Sequence, residues 1–209
     1  MINFVVFTIA LQSDKVFPKL FTSPKERRLM VTPETYLEEL LLRYRSNFDI
    51  TKNYEIGTEV FPAYAYFSSF GERYVLKKEA RLWAIRAYEH VFFMKENMVS
   101  EDSLQKIKSL IEETIEPVLV RKNMKYPEKD HMCSYLTFVI ISDKTPDKET
   151  QKAIRKFSFD KGYLFNFRGH SEARVLVAGL DTNSVYTSRT GKELREMFED
   201  AFINKKMSA

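Results

Sequence analysis

Between Tyr163 and Arg189 the chain reads YLFNFRGHSEARVLVAGLDTNSVYTSR, its clearest strand and hairpin pattern, with a dense polar cluster inside it. If the backbone is extended from Phe167 to Val177, alternation sends Arg168, His170, Glu172 and Arg174 to one face. Such a stripe runs about 20 Å, at roughly 3.3 Å per residue. An imidazole between a carboxylate and guanidinium groups can hold an anion or act as acid and base. A solvated strand face with cross-strand ion pairs carries the same letters, each pair contributing a fraction of a kcal/mol. Gly169 favours a site, because glycine within a strand marks a bulge or a close backbone approach. A bulge there would also part Arg168 from His170.

Three weaker constellations accompany the stripe. Glu89-His90 opens an aromatic, β-branched run, and Glu89, His170 and Glu172 are the candidate catalytic residues if the protein is an enzyme. His131 and Cys133 stand two apart, but a metal site needs three or four ligands, so no metal site and no cofactor are expected. Tyr64, Tyr66, Tyr74 and Trp83, with Lys77, Lys78, Arg81 and Arg86 nearby, have the makings of a stacking platform for single-stranded nucleic acid, although strand aromatics usually form core. The chain has no Gly-rich phosphate loop, no HExxH, no GxSxG and no CxxC.

Bulk properties narrow the class. A chain of 209 residues with 44% hydrophobic and 30% charged content supports one folded domain with a real core. The single cysteine, Cys133, rules out an internal disulfide framework and fits a reducing, cytoplasmic setting. Net charge is +4, but residues 1–29 hold five basic against two acidic residues and so account for +3 of it. The remaining body is close to neutral, which argues against a uniformly basic nucleic-acid protein.

Residues 1–29 raise their own question. The apolar run Ile2 to Leu11 lacks a positive flank before it and a small-residue cleavage site after it, and is too short to span a membrane. Lys25 to Met30 can be encoded so that AGGAG precedes a methionine codon, which makes Met30 the expected start; CGN codons at Arg27 and Arg28 would remove that reading. The expected organisation is an N-terminal extension over 1–29, one domain over 30–204 and a tail over 205–209.

The elements that must carry the stripe follow in order. Thr32, Pro33 and Glu34 announce a helix to about Asn47 with Leu37, Leu40, Leu41, Tyr44 and Phe48 on one side. Val60 to Phe67 alternates as a strand, with a turn at Phe70 to Arg73 leading into Tyr74 to Leu76. Residues 78–94 tolerate a helix in their first half and read as strand from Tyr88 to Met94. Ser100 caps a helix carrying Leu104, Ile107, Ile111 and Ile115, which Pro117 ends or kinks. Ser134 to Ser142 is so apolar that both faces must be covered, a central strand. Thr145 and Pro146 open a short helix with Ala153, Ile154 and Phe157; Asp181 to Ser184 turns the anchor strand back into Val185 to Ser188. Thr190 to Glu193 has capping-box spacing ahead of a last helix with Leu194, Met197, Phe198, Ala201 and Phe202. The expected fold is α+β: one domain, a mixed sheet, helices on its faces.

From the first helix to Ser142, the order helix, three strands, helix, strand resembles the restriction-endonuclease-like core. That resemblance implies metal-dependent phosphodiester cleavage, carried by an acid on one strand and Glu-x-Lys or Asp-x-Lys on the next. This chain has neither motif; its nearest variants are Glu79-Ala80-Arg81 and Glu172-Ala173-Arg174, so ordinary catalysis of that kind is expected to be lost. TYLEELLLRYRSNFDI, ERYVLKKEARLWA, EHVFF and GHSEARVLV, between Thr35 and Arg195, resemble an uncharacterised family of hypothetical proteins from Gram-positive bacteria, which implies no functional residue. The reading is a bacterial binding or regulatory module working through Arg168, His170, Glu172 and Arg174. A divergent nuclease-like phosphodiesterase is the alternative. Nucleic acid or protein is the expected partner, no membrane is, and homo-oligomerisation stays open.

Overall fold

The computed structural model describes residues 31–73 and 83–203. Residues 1–30 with the Met30 start, the strand at Tyr74 to Leu76, the Lys77, Lys78, Arg81 and Trp83 side chains, and the tail at 205–209 lie outside them.

A single sheet of seven strands organises the described residues: β1 (Asp49–Ile56), β2 (Glu59–Arg73), β3 (Trp83–Met98), β4 (His131–Lys144), β5 (Asp160–Gly162), β6 (His170–Gly179) and β7 (Ser184–Thr187). Their order is β1-β2-β3-β4-β6-β5, with β7 also on β6. β1 to β3 form an antiparallel meander, β3, β4 and β6 are mutually parallel, and β5 and β7 pair antiparallel with successive stretches of the other edge of β6. Helices α1 (Pro33–Tyr44), α2 (Glu101–Leu110), α3 (Lys148–Lys156) and α4 (Arg195–Ile203) cover it. The α+β class and the mixed sheet are as expected.

Each face has its own core. α1 and α4 bury Leu40, Tyr44 and Phe198 against Phe93, Val139 and Leu176 on one face. On the opposite face α2, α3 and a π-helix (Ile111–Val120) bury Ile107, Ile115 and Ile154 against Phe92, Phe138 and Val175. β4 is central and buried on both sides, as its composition required. Capping boxes form at Thr32 with Thr35 and at Ser100 with Ser103, each satisfying donors the first helical turn leaves open.

Several boundaries differ from expectation. β1 has no counterpart in the sequence pattern, because an edge strand with Lys52, Glu55 and other exposed positions shows no clean alternation. The turn at Phe70 to Arg73 is strand instead: the backbone runs on through Gly71, paired with β3 as far as Arg73 against Trp83. β6 begins at His170, not Phe167, since Leu164, Phe165, Asn166 and Gly169 all take positive φ and fold residues 163–169 into a loop. Pro117 neither ends the helix nor merely kinks it; lacking an N–H, it sits in the wider ladder, where Arg121 N–H donates to the Glu116 carbonyl. The short helix starts at Lys148 with Asp147 as its cap, because Thr145 instead bonds Asp181. The box at Thr190 does not form: the Thr190 hydroxyl donates to the Ala173 carbonyl, and a short 3₁₀ turn (Lys192–Leu194) leads into α4.

Candidate functional site

The stripe divides at Gly169. Its φ of +72° turns the chain, and Arg168 lies in the loop before β6, its guanidinium donating to the Pro127 carbonyl and its own carbonyl 2.8 Å from His131 Nδ1. Arg168 is thus a clasp between two loops and β4. His170, Glu172 and Arg174 remain on one face of β6, in register with Cys133, Tyr135 and Thr137 of β4, which themselves stand beside Ala87, Glu89 and Val91 of β3.

These rows read outward from the helix-covered core. Beyond Phe93, Val139 and Leu176 comes Val91, Thr137, Arg174; then Glu89, Tyr135, Glu172; then Ala87, Cys133, His170. Arg174 is buried, its guanidinium 3.7 Å from the Tyr135 ring centre and 3.9 Å from the Glu89 carboxylate. Burial raises the Glu89 pKa to about 7, although Arg174 and the Thr137 hydroxyl both favour its charged form. β5 adds Asp160 directly opposite Glu172 and diagonal to His170, and ligand atoms of these three all lie within 4.8 Å of one another. Glu172 is half-buried with its pKa raised by desolvation, against the pull of Arg174 and His170.

Glu89 and His90 point to opposite faces. His90 accepts or donates at 2.6 Å with the Tyr64 hydroxyl, and burial lowers its pKa to about 3, so it is neutral. His131 uses both ring nitrogens, on the Arg168 carbonyl and the Ser134 hydroxyl, while Cys133 faces the other side; they cannot share a metal. His90 and His131 instead line, with Tyr66 and Tyr88, a cavity of about 40 Å³. Tyr64 is buried against Tyr54, His90 and Phe92, and Tyr66, half-buried, packs beside Tyr88 and His90.

One site escaped the sequence reading. An open groove of about 630 Å³ runs between α3 and the segment from β7 into α4. Lys148, Lys152 and Arg155 line one wall, Arg189, Lys192 and Arg195 the other, with Gln151, Tyr186, Thr187 and Ser188 between them and no carboxylate among the described lining residues. All six cationic side chains are exposed. Arg195 is engaged by Glu199 at 3.0 Å and by the Val185 carbonyl, whereas the other five make no ion pair among the described residues. The signal was present in the spacing: 148, 152 and 155 share one face of a helix whose other face buries Thr150 and Ile154, and 189, 192 and 195 recur every three residues.

Residues 32–200 match a family described as Domain of unknown function (DUF8052). The chain belongs to that family. The DUF8052 match begins at the cap of α1, takes in all seven strands and ends within α4, so the three-residue stripe and the groove both lie inside it. No curated protein and no solved structure matches the chain. Among the described residues, no helix of this DUF8052 protein is long and apolar enough to cross a membrane.

Proposed function

We propose that the protein is a non-catalytic binding module that grips a phosphate-bearing polymer, a nucleic acid, in the groove between α3 and the β7–α4 segment. The observation that carries the reading is the facing of Lys148, Lys152 and Arg155 by Arg189, Lys192 and Arg195 with no carboxylate among the described lining residues. Like charges at i, i+4 destabilise a helix, so the cationic face of α3 costs stability that a polyanion would return. A concave, two-walled groove fits a chain of phosphates; a flat bilayer would meet a convex basic surface bearing apolar side chains. The near-neutral net charge of the body does not oppose the reading, because phosphate contact depends on the local patch.

The test is fluorescence anisotropy with short single- and double-stranded DNA and RNA across a salt series, with Lys152→Glu/Lys192→Glu beside the wild type. Binding should fall with salt, and the double variant should lower the log–log slope by about two, one for each phosphate left without its lysine. Absence of binding at low salt, or equal binding by the variant, would sink the proposal.

A second reading, a divergent nuclease-like phosphodiesterase, draws support from Glu89, His170 and Glu172 sharing one sheet face and from the order helix, three antiparallel strands, helix, parallel strand. The burial of Glu89 against Arg174 weighs against it. Cleavage of DNA or RNA with Mg²⁺ or Mn²⁺ that is abolished in Glu172→Gln would favour it over simple binding.

A further inference from the structure

Asp160 and Glu172 are direct cross-strand neighbours in the antiparallel β5–β6 pair. Like charges placed opposite each other in a sheet destabilise it, and Glu193 adds to the same negative field. Ordinary sheet surfaces relieve such a pair with a lysine or arginine. Here, among the described residues, no cationic side chain stands within 4.0 Å of the Asp160 or Glu172 carboxylate; Arg174, two positions along β6, favours the charged form of Glu172 from farther off and lies 3.9 Å from Glu89 across β4. The third side chain at the same spot is an imidazole, His170, with a ligand atom within 4.8 Å of both carboxylates.

We propose that Asp160, His170 and Glu172 form a binding site for one divalent transition-metal ion, of the Zn²⁺ or Mn²⁺ class. One nitrogen and two carboxylate oxygens suit such an ion; Ca²⁺ and Mg²⁺ take oxygen ligands and gain little from the imidazole. Three protein ligands leave at least one coordination position for water or an anionic group, the composition of an open rather than a closed structural site.

The backbone pre-organises the three. Gly162 pairs with His170 and Asp160 with Glu172, and the loop between the strands is closed by Tyr163 N–H to the Gly169 carbonyl and Arg168 N–H to the Tyr163 carbonyl. Below the sheet, the Tyr163 and Ser171 hydroxyls meet at 2.7 Å and hold the same hairpin from its other face. β5 is the shortest of the seven described strands, three residues at the sheet edge, so an ion shared with β6 would tie it to the body of the sheet. This site is independent of the basic groove: its ligands come from a different set of residues, and its test needs no nucleic acid.

The experiment uses the full chain without a histidine tag, stripped with chelator and titrated separately with Zn²⁺ and Mn²⁺ by calorimetry and thermal unfolding, and with Co²⁺ by visible absorption. Expected results are one equivalent bound by at least one ion, a melting temperature that rises with its concentration, and ligand-field bands from Co²⁺. Asp160→Asn and His170→Ala should each weaken binding by at least ~10-fold and alter the Co²⁺ spectrum. Their unfolding in chelator, compared with wild type, separates ligand loss from misfolding. No saturable binding of any of the three ions to the wild type, or equal affinity and an unchanged Co²⁺ spectrum in both folded variants, would overturn the site.

Discussion

Arg174 on β6 reaches across β4 to within 3.9 Å of Glu89 on β3, and both side chains are buried on the α1 face of the sheet. Two residues that the sequence separates by about half of the domain thus form one electrostatic unit, framed by Tyr135 and Thr137. Burial raises the pKa of its carboxyl group to about 7.

Glu89 should make stability pH-dependent in a specific direction. Desolvation lifts its pKa from an ordinary 4.5 to about 7, so between those values the folded chain holds a proton that the unfolded chain has released. Stability therefore falls as pH rises through this window, by on the order of 3 kcal/mol for a shift of that size, and levels off above it. In Glu89→Gln this component is absent. Chemical denaturation of both proteins from pH 4 to 8 should show the wild type losing stability relative to the variant as pH rises; a constant difference would contradict the assignment.

Tyr44 carries a buried hydroxyl with no hydrogen-bond partner among the described residues, close enough to Glu89 and Arg174 to feel both charges. Removing an unsatisfied buried hydroxyl relieves its desolvation cost. Tyr44→Phe should stabilise the protein by about 1 kcal/mol, read as a higher denaturation midpoint with an unchanged m-value.

Gly169 should not tolerate a side chain. At φ +72° an L-residue is strained by about 1–2 kcal/mol, and a Cβ there would fall on the Met132 and His131 carbonyl oxygens, which belong to the β4 backbone and cannot swing aside. Gly169→Ala is expected to lower stability by about 3 kcal/mol or more once the clash is added to the strain. Retention of wild-type stability would mean that the β5–β6 loop is not held as described.

Glu116 anchors the opposite face. Fully buried at its carboxylate, it accepts from Arg121 Nε at 2.7 Å, Lys161 Nζ at 2.8 Å and the Tyr163 hydroxyl at 2.8 Å. Burial alone would raise its pKa, but these donors outweigh it and hold the pKa below the ordinary value. Glu116→Ala should cost about 1–3 kcal/mol at neutral pH, because Arg121 and Lys161 reach solvent and are not left as buried charges. Because a lowered folded pKa stabilises above the unfolded value and is lost as pH falls through the folded one, the gap between wild type and variant should close in acid.

Local chemistry determined much of this protein in advance. Thr32 and Ser100 start helices because a hydroxyl beside an apolar stripe satisfies open N–H groups, and Ser134 to Ser142 is central because only a strand covered on both faces can be apolar throughout. Alternation likewise put His170, Glu172 and Arg174 on one face of β6. Such signals depend on periods of 2 and 3.6 within one segment. Only the tertiary structure decided which charges meet. Asp160 joins His170 and Glu172 through the register of a three-residue strand, and Glu89 finds Arg174 through two parallel pairings. Lys148, Lys152 and Arg155 face Arg189, Lys192 and Arg195 because α3 lies beside β7 and the start of α4. A near-neutral sum conceals that segregation, since net charge adds what the fold separates, and electrostatics responds to distance rather than to composition.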